Sequence, residues 1–439
     1  MKLRSLAIPF TFLLACSTMS SGSRTPAGEA QHGGGAVTQA AVGARSPAEL
    51  ERLLADYDRL PPDSAERAPL AAAIDKVAGQ RYATVSRLFW YDDLGAAKAA
   101  ARASGKPILS LRMLGRLDED LSCANSRFFR TTLYPDVAVA KLLHERFVLH
   151  WSSERNVPRV TVDFGDGRTI QSTVTGNSAH YVLDADGRLI DVLPGLYSPK
   201  VFQRELEVSL TVAAALAGKR GPDRTALLVA HHREQLQAMN ARWGALPAIV
   251  MLNGTPQIMD KAAMAKHAAL AQRATVSKAR IEVPILQTVD LGVDPGQLPT
   301  DIALWVLIYG QLMGNATDAT DGKLATVIDT RSRHLVDSML AVSTTGERLD
   351  AGARAAIIDK LEESIAGDTA INEVRLRPQV RAHLIEQLER GDATFAEVNA
   401  WVYANVFHTP AEDQWMGLLP RDTFTGLPGG VVATVAPGR

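Results

Sequence analysis

The sequence is poor in cysteine and carries almost no net charge. Two cysteines among 439 residues are too few for a disulfide scaffold or for a cysteine-based zinc or iron–sulfur site. A formal net charge of −1 argues against a nucleic-acid partner, because phosphate recognition needs a basic stripe. The ordinary balance of apolar and charged residues instead predicts a globular protein, and the length predicts two or three domains.

The motifs of several enzyme classes are also missing. We find no phosphate-binding P-loop, no dinucleotide-binding fingerprint and no Gly-x-Ser-x-Gly nucleophile elbow. The string His231-His232-Arg233-Glu234 lacks a second histidine at the spacing of a zinc-binding helix. We therefore interpret it as an exposed helix face, and we predict neither a metal site nor a cofactor.

The first sixteen residues are typical of an export signal. Lys2 and Arg4 precede an apolar run, residues 6–15, that is too short to span a bilayer. Leu13-Leu14-Ala15-Cys16 resembles the bacterial lipobox, which implies that Cys16 becomes a lipidated N-terminus. The alternative is a cleaved secretory signal with an incidental cysteine. We expect a bacterial cell-envelope protein, anchored by lipid at the outer membrane or periplasmic face, or else secreted to the periplasm.

Residues 17–45 predict a disordered tether, because Ser, Gly, Ala, Thr and Gln cannot bury enough apolar surface to fold. A short helical segment, 46–82, follows. It begins with Ser46-Pro47-Ala48-Glu49, a capping box with proline at the first helical position. The sequence leaves open whether this segment stands apart or packs onto the next domain.

Residues 83–218 alternate between strand and helix patterns. Strands are predicted at 107–113, 147–151, 159–164, 169–174, 179–184 and 189–193, with helices at 92–103, 125–129 and 136–146. Strands that alternate with helices and end in a hairpin predict an α/β domain, with a mixed central sheet and flanking helices.

Three parts of this segment resemble a known family. Gly105-Lys106-Pro107-Ile108-Leu109 is followed by Cys123-Ala124-Asn125-Ser126 and, further on, by a hairpin at 181–188. Their order and spacing resemble those of extracytoplasmic thioredoxin-like domains over about residues 84–215. The resemblance implies a thioredoxin fold, with Cys123 at the first cysteine of the family's Cys-x-x-Cys motif and Ser126 at the second, which makes it Cys-x-x-Ser.

The chain departs from that family at two positions. Ser126 replaces the cysteine that would release a bound partner, and Ser178 stands where the family has a cis-proline. Because a cis bond before a residue other than proline is costly, we expect residues 175–178 to build this corner differently. Asn177 and Ser178 are then the predicted substrate-facing corner.

A single thiol allows limited chemistry. We expect the Cys123 sulfur to project into solvent where a strand gives way to a helix, whose N-terminus favours thiolate. The acidic run 118–120 opposes this, and none of His144, His150 and His180 is visibly paired with the cysteine in the sequence. With Cys123 as nucleophile and Ser126 as a hydrogen-bonding group at the helix start, monothiol exchange or redox sensing follows; an inert buried thiol is the alternative.

The remainder of the chain predicts a helical domain, 222–410, and an apolar, Gly/Pro-interrupted tail, 411–439. Helices are expected at 224–243, 258–278, 300–313, 321–343, 350–366, 369–390 and 393–407, the sixth of them broken at Pro378. Two functions remain open. One is thiol–disulfide exchange with envelope proteins through Cys123, and the other is a non-catalytic binding or scaffolding lipoprotein with a degenerate thioredoxin fold.

Overall fold

Strands and helices alternate in the first half of the chain and helices dominate the second. The computed structural model describes residues 45–173, 176–243, 302–313, 326–341, 348–391, 394–413 and 416. The predicted signal peptide with Cys16, the tether up to residue 44, the helix predicted at 258–278 and most of the predicted tail lie outside the described residues.

A mixed sheet of five strands forms the centre of the first half. Its order is β1–β3–β2–β6–β7, with β3 parallel to both β1 and β2, and with β2–β6 and β6–β7 antiparallel. The strands are β1 Trp90–Tyr91, β2 Ile108–Leu114, β3 Val148–Arg155, β6 Ser178–Leu183 and β7 Leu189–Pro194. Nearly every residue of β2, β6 and β7 is buried, which is why they appear as continuous apolar runs.

A separate hairpin interrupts the sheet between β3 and β6. Strands β4 Arg159–Asp163 and β5 Thr169–Thr173 pair antiparallel as a two-stranded ribbon. Their side chains alternate between exposed and half-buried, so one face of the ribbon meets water. Phe164 at the turn is 51% exposed.

Helices flank the five-stranded sheet. They are α3 Ala83–Ser86, α4 Leu94–Ser104, α5 Ala124–Phe128, α6 Val137–Arg146 and α7 Pro199–Ala215. The carboxylates of Asp93 and Asp136 cap α4 and α6 by accepting hydrogen bonds from main-chain N–H groups of Ala96 and Val139. The expected mixed sheet with flanking helices is confirmed.

The N-terminal helices α1 Pro47–Arg59 and α2 Arg67–Ala78 have a small apolar core of their own. They also dock onto the sheet. The indole of Trp151 donates to the carbonyl of Gly79 at 2.9 Å, and the indole of Trp90 donates to Gln80 at 2.8 Å. The question that the sequence left open is therefore answered: this segment packs against the α/β part.

Where the structure describes it, the second half is helical, as expected. Its helices are α8 Gly221–Trp243, α9 Ile302–Leu312, α10 Thr330–Ala341, α11 Ala351–Ile371, α12 Arg377–Arg390 and α13 Phe395–Trp401. A wider π-helical turn, Asn372–Leu376, joins α11 to α12. The break predicted at Pro378 is wrong: Pro378 lies in the first turn of α12, where its missing N–H is tolerated, and the irregularity comes just before it.

One apolar core extends through both halves. It includes Val192 and Phe202 from the α/β part and Leu228, Ile365 and Val380 from the helices. The predicted boundary between 218 and 222 coincides with the short turn between α7 and α8, and the core continues across it.

A cluster of buried charges lies at the same junction; we call it the buried ion cluster. It consists of Asp191 on β7, Glu205 on α7, Glu373 in the π-helical turn, and Arg377 and Arg381 on α12. The Arg377 guanidinium contacts Asp191 at 3.1 Å, Glu205 at 2.5 Å and Glu373 at 3.1 Å. Although burial alone would raise it, the two guanidiniums hold the pKa of Asp191 far below its ordinary value.

The histidine string lies on a helix whose exposed face carries Arg233 and Glu234 but, contrary to the prediction, not His232. His232 is buried, and it accepts a hydrogen bond from Arg381 through Nδ1 at 2.9 Å while its Nε2 donates to the carbonyl of Ile190 at 3.0 Å. Burial lowers the pKa of His232 to about 3. The prediction failed because the partners come from β7 and α12, far away in sequence.

Candidate functional site

Cys123 lies at the predicted place in the chain. It follows the loop that leaves β2 and directly precedes α5, with its N–H bonded to the carbonyl of Leu114 at 3.2 Å. The predicted solvent exposure of its sulfur is wrong, because the residue is 0% exposed within the apolar core. A buried thiol cannot meet a partner disulfide without a change of conformation.

Ser126 hydrogen-bonds the start of the helix. Its hydroxyl lies 2.7 Å from the carbonyl oxygen of Cys123 and 2.6 Å from the hydroxyl of Ser122. The serine at the position of a resolving cysteine is thus bonded to the main chain and to another serine. Thr173, the last residue of β5, donates to the carbonyl of Ser122 at 3.0 Å and fixes the same loop from the hairpin side.

Two buried tyrosines neighbour the thiol. Burial raises the pKa of Tyr134 and of Tyr403 well above the ordinary value, and the charge that Cys123 would carry as a thiolate adds to both shifts. The hydroxyl of Tyr134 is also 2.8 Å from Nε2 of His180. Cys123 therefore has two uncharged phenols as neighbours.

The three histidines of this part do not provide a base. Burial lowers the pKa of His180 to about 3 and that of His150 to about 4, so both are neutral near pH 7. His150 shares a hydrogen bond with Ser110 at 2.8 Å, and His144 lies exposed near the end of α6. None of the hydrogen bonds found in the described part of the chain joins a histidine to Cys123.

The acidic run Asp118-Glu119-Asp120 faces arginines rather than the thiol. Arg116 pairs with Asp118 at 2.7 Å and with Glu119 at 3.4 Å, and Arg81 pairs with Asp120 at 2.9 Å. The buried guanidinium of Arg130 holds the loop from inside by donating to the carbonyls of Leu117, Glu119 and Asp120. The loop before Cys123 is therefore firmly held.

The predicted substrate-facing corner is buried. Asn177 is 1% exposed and Ser178, which pairs with Met113 across the sheet, is 0% exposed. The peptide bond between them is trans. The side-chain amide of Asn177 donates to the hydroxyl of Thr409 at 3.1 Å. The main-chain carbonyl of Asn177 accepts a hydrogen bond from the hydroxyl of Tyr403 at 3.4 Å.

The chain that closes this corner comes from the far end of the sequence. Residues 402–413, which we call the C-terminal cover, comprise the π-helical turn Val402–Val406 and the residues after it. Arg155, at the end of β3, donates to the carbonyls of Thr409 and Asp413, each at 2.9 Å. Arg155, Tyr403 and Thr409 were missed in the sequence, since no local pattern marks contacts over 200 residues.

The described residues offer little for other chemistry. Within these ranges, no group of three or more His, Cys, Asp and Glu residues is placed to hold a metal ion. In the same residues, no helix is both long enough and apolar enough to cross a membrane.

The chain matches no protein-family model, no curated protein and no solved structure.

Proposed function

We propose that residues 83–218 form a thioredoxin-like domain. The support is the sheet order β1–β3–β2–β6–β7 with its one parallel and one antiparallel half, together with the position of Cys123 between β2 and α5. The β4–β5 hairpin is then an insertion between β3 and β6. This extends the resemblance seen in the sequence, which rested on the Cys-x-x-Ser motif and the closing hairpin.

For function, we propose a non-catalytic binding or scaffolding role in the cell envelope. The observation that carries it is the 0% exposure of Cys123 beneath a corner that the C-terminal cover closes. A thiol that exchanges with partner proteins must be reachable, and its reactivity depends on thiolate character and access. The two tyrosines near Cys123 are uncharged, and no hydrogen bond joins a histidine of the described residues to it.

Monothiol exchange with thiols or disulfides of envelope proteins is the second candidate. One observation favours it: Cys123 is the N-cap residue of α5, so main-chain N–H groups of the first helical turn point toward its side of the helix. In this alternative Ser126 and the Asn177–Ser178 corner keep the roles predicted for them, and the protein works only after the cover has moved.

A turnover assay separates the two candidates. Both proteins carry Cys16→Ser, so that Cys123 is the single thiol, and the matched control adds Cys123→Ser. With dithiothreitol as reductant, we expect a disulfide substrate such as insulin to be reduced at the same background rate in the presence of either protein, because the Cys123 thiol is buried. A rate that falls to background only when Cys123 is replaced would contradict the binding proposal.

The binding proposal also predicts which partner proteins the two variants bind. Immobilised protein should recover the same partners from an envelope extract with and without Cys123, and reductant should not release them. Partners that require Cys123 and are released by reductant would instead support exchange.

We further propose that Cys16 carries the lipid anchor, from its place after Leu13-Leu14-Ala15. Metabolic labelling with an alkyne-tagged fatty acid should mark the full-length chain and should be lost in Cys16→Ser. Cys123→Ser is the control and should keep the label, since a buried thiol is not a modification site. A full-length chain that takes up no label would favour the secreted, unanchored form, whereas label that persists in Cys16→Ser would place the lipid on another residue.

A further inference from the structure

The C-terminal cover is held over the corner by polar contacts and by four buried side chains of the apolar core, Val402, Tyr403, Val406 and Phe407. Arg155 donates hydrogen bonds to two main-chain carbonyls of the cover, and Asn177 forms hydrogen bonds with the hydroxyls of Thr409 and Tyr403. Hydrogen bonds of this kind exchange readily with water and contribute little net free energy each. The apolar side chains of Val402 and Val406 are buried as well, so the closed form is the stable one.

The backbone of the cover is irregular where it would have to bend. Val402–Val406 forms a π-helical turn, a conformation that is rare and frequent at functional sites. His408 then has φ of 51°, in the left-handed region that residues with a side chain seldom adopt. Strain of this kind persists only while surrounding contacts enforce it, so release of the cover relieves it.

The preceding helix is anchored independently. Phe395, at the start of α13, packs edge-on against Tyr181 with ring centroids 5.0 Å apart, and the guanidinium of Arg112 lies 4.7 Å from its ring centroid. At the other end of α13, Trp401 stacks on His383 of α12 at 3.8 Å. The chain can therefore open after residue 401 while α13 stays in place.

From these contacts we propose that residues 402–413 are a releasable cover, whose opening regulates access to Cys123 and to the Asn177–Ser178 corner. In the closed state the segment occupies the corner that the exchange alternative assigns to a substrate, and in this respect the inference rests on the proposed functions. Opening exposes the guanidinium of Arg155 and the amide of Asn177. A partner polypeptide can then take the hydrogen bonds that the cover released.

Thiol labelling tests the cover. The protein is the full chain with Cys16→Ser, and the rate at which a maleimide labels Cys123 is measured at rising, sub-denaturing urea. A local opening exposes little surface and gives a labelling rate that hardly depends on urea, whereas labelling through global unfolding follows the full urea dependence of unfolding. We expect the first behaviour.

Two variants loosen the cover. Arg155→Ala removes two hydrogen bonds and should raise the labelling rate about tenfold; Thr409→Val, which keeps the side-chain shape, should raise it about threefold. The control is Arg168→Ala, whose guanidinium is on the β4–β5 hairpin and pairs only locally with Asp166, and the rate should not change. Urea unfolding of each variant shows whether a change in rate exceeds the change in global stability.

Labelling that occurs only through global unfolding in all four proteins would overturn the proposal that the cover opens locally. This outcome is distinct from a failure of the proposed function, which the turnover assay reports. Local opening together with Cys123-dependent turnover would support the releasable cover and would replace the binding role by thiol exchange. If labelling requires global unfolding and no Cys123-dependent turnover is seen, the protein is a binding protein whose corner stays closed.

Discussion

Asp191→Asn should lower the free energy of unfolding by about 3–5 kcal/mol, the usual cost of removing one partner from a buried ion pair. The carboxylate is 0% exposed and contacts Arg377 at 3.1 Å and Arg381 at 3.3 Å. It also accepts from the hydroxyl of Ser209 at 3.1 Å. The amide keeps the shape of the side chain but leaves both guanidiniums short of negative charge in a region without water to solvate them. Urea unfolding, followed by circular dichroism, measures the loss.

Glu389→Gln is the matched control for this variant. Glu389 pairs with Arg233 across the surface between α12 and α8, and both side chains are about half exposed. Because an exposed ion pair contributes at most about 1 kcal/mol, the control should stay close to the parent protein. A loss for Asp191→Asn no larger than that of the control would show that the buried ion cluster contributes little.

Acid should destabilise the protein through its buried histidines. Burial lowers the pKa of His150 to about 4, and that of His180 and His232 to about 3, from an ordinary value of 6.5. Below pH 6.5 the unfolded chain takes up protons on these histidines and the folded chain does not. Their stabilising contribution is therefore complete above pH 6.5, and each pH unit below costs about 1.4 kcal/mol per histidine.

Asp75 opposes this effect in part. Burial raises its pKa from 3.8 to about 6, so the folded chain takes up a proton there first, and stability is gained as the pH falls from about 6 toward 3.8. The balance of the four groups is a loss of about 2–3 kcal/mol between pH 6 and pH 5. Urea unfolding at the two pH values measures it.

His150→Asn tests the assignment of the acid effect. Asparagine can still hydrogen-bond Ser110, whose hydroxyl contacts His150 Nδ1 at 2.8 Å, but it does not titrate. The loss between pH 6 and pH 5 should shrink by about 1 kcal/mol, whereas replacement of the exposed His144 by Asn should leave it unchanged. Equal stability of the parent protein at both pH values would mean that the histidines are reached by water in the folded state.

The strands and most helices could be predicted from the sequence because their signals are local. The predicted strand 107–113 became Ile108–Leu114, and the predicted hairpin at 159–174 became Arg159–Asp163 and Thr169–Thr173. Period-two and continuous apolar patterns depend only on neighbouring residues. The π-helical turns were missed, since an extra residue in a helical turn leaves the apolar spacing almost unchanged.

The candidate site could be predicted only in part. The place of Cys123 between a strand and a helix follows from nearby residues, but its burial depends on an apolar core that also includes residues as distant as Tyr403. Asp191 likewise looks like an ordinary polar residue of a strand, because its partners Arg377 and Arg381 belong to a distant helix. Tertiary packing decides which residues are buried, and this packing cannot be deduced directly from a single sequence.

The apolar core that extends from the sheet into α8, α11 and α12 has a consequence for cooperativity. A fragment that ends near residue 218 would retain β7 and α7 but lose the guanidiniums that neutralise Asp191 and Glu205, and it would expose the face formed by Val192 and its neighbours. We therefore expect that neither half folds autonomously. Calorimetry of the whole chain should accordingly record both halves melting together, in a single heat-absorption peak.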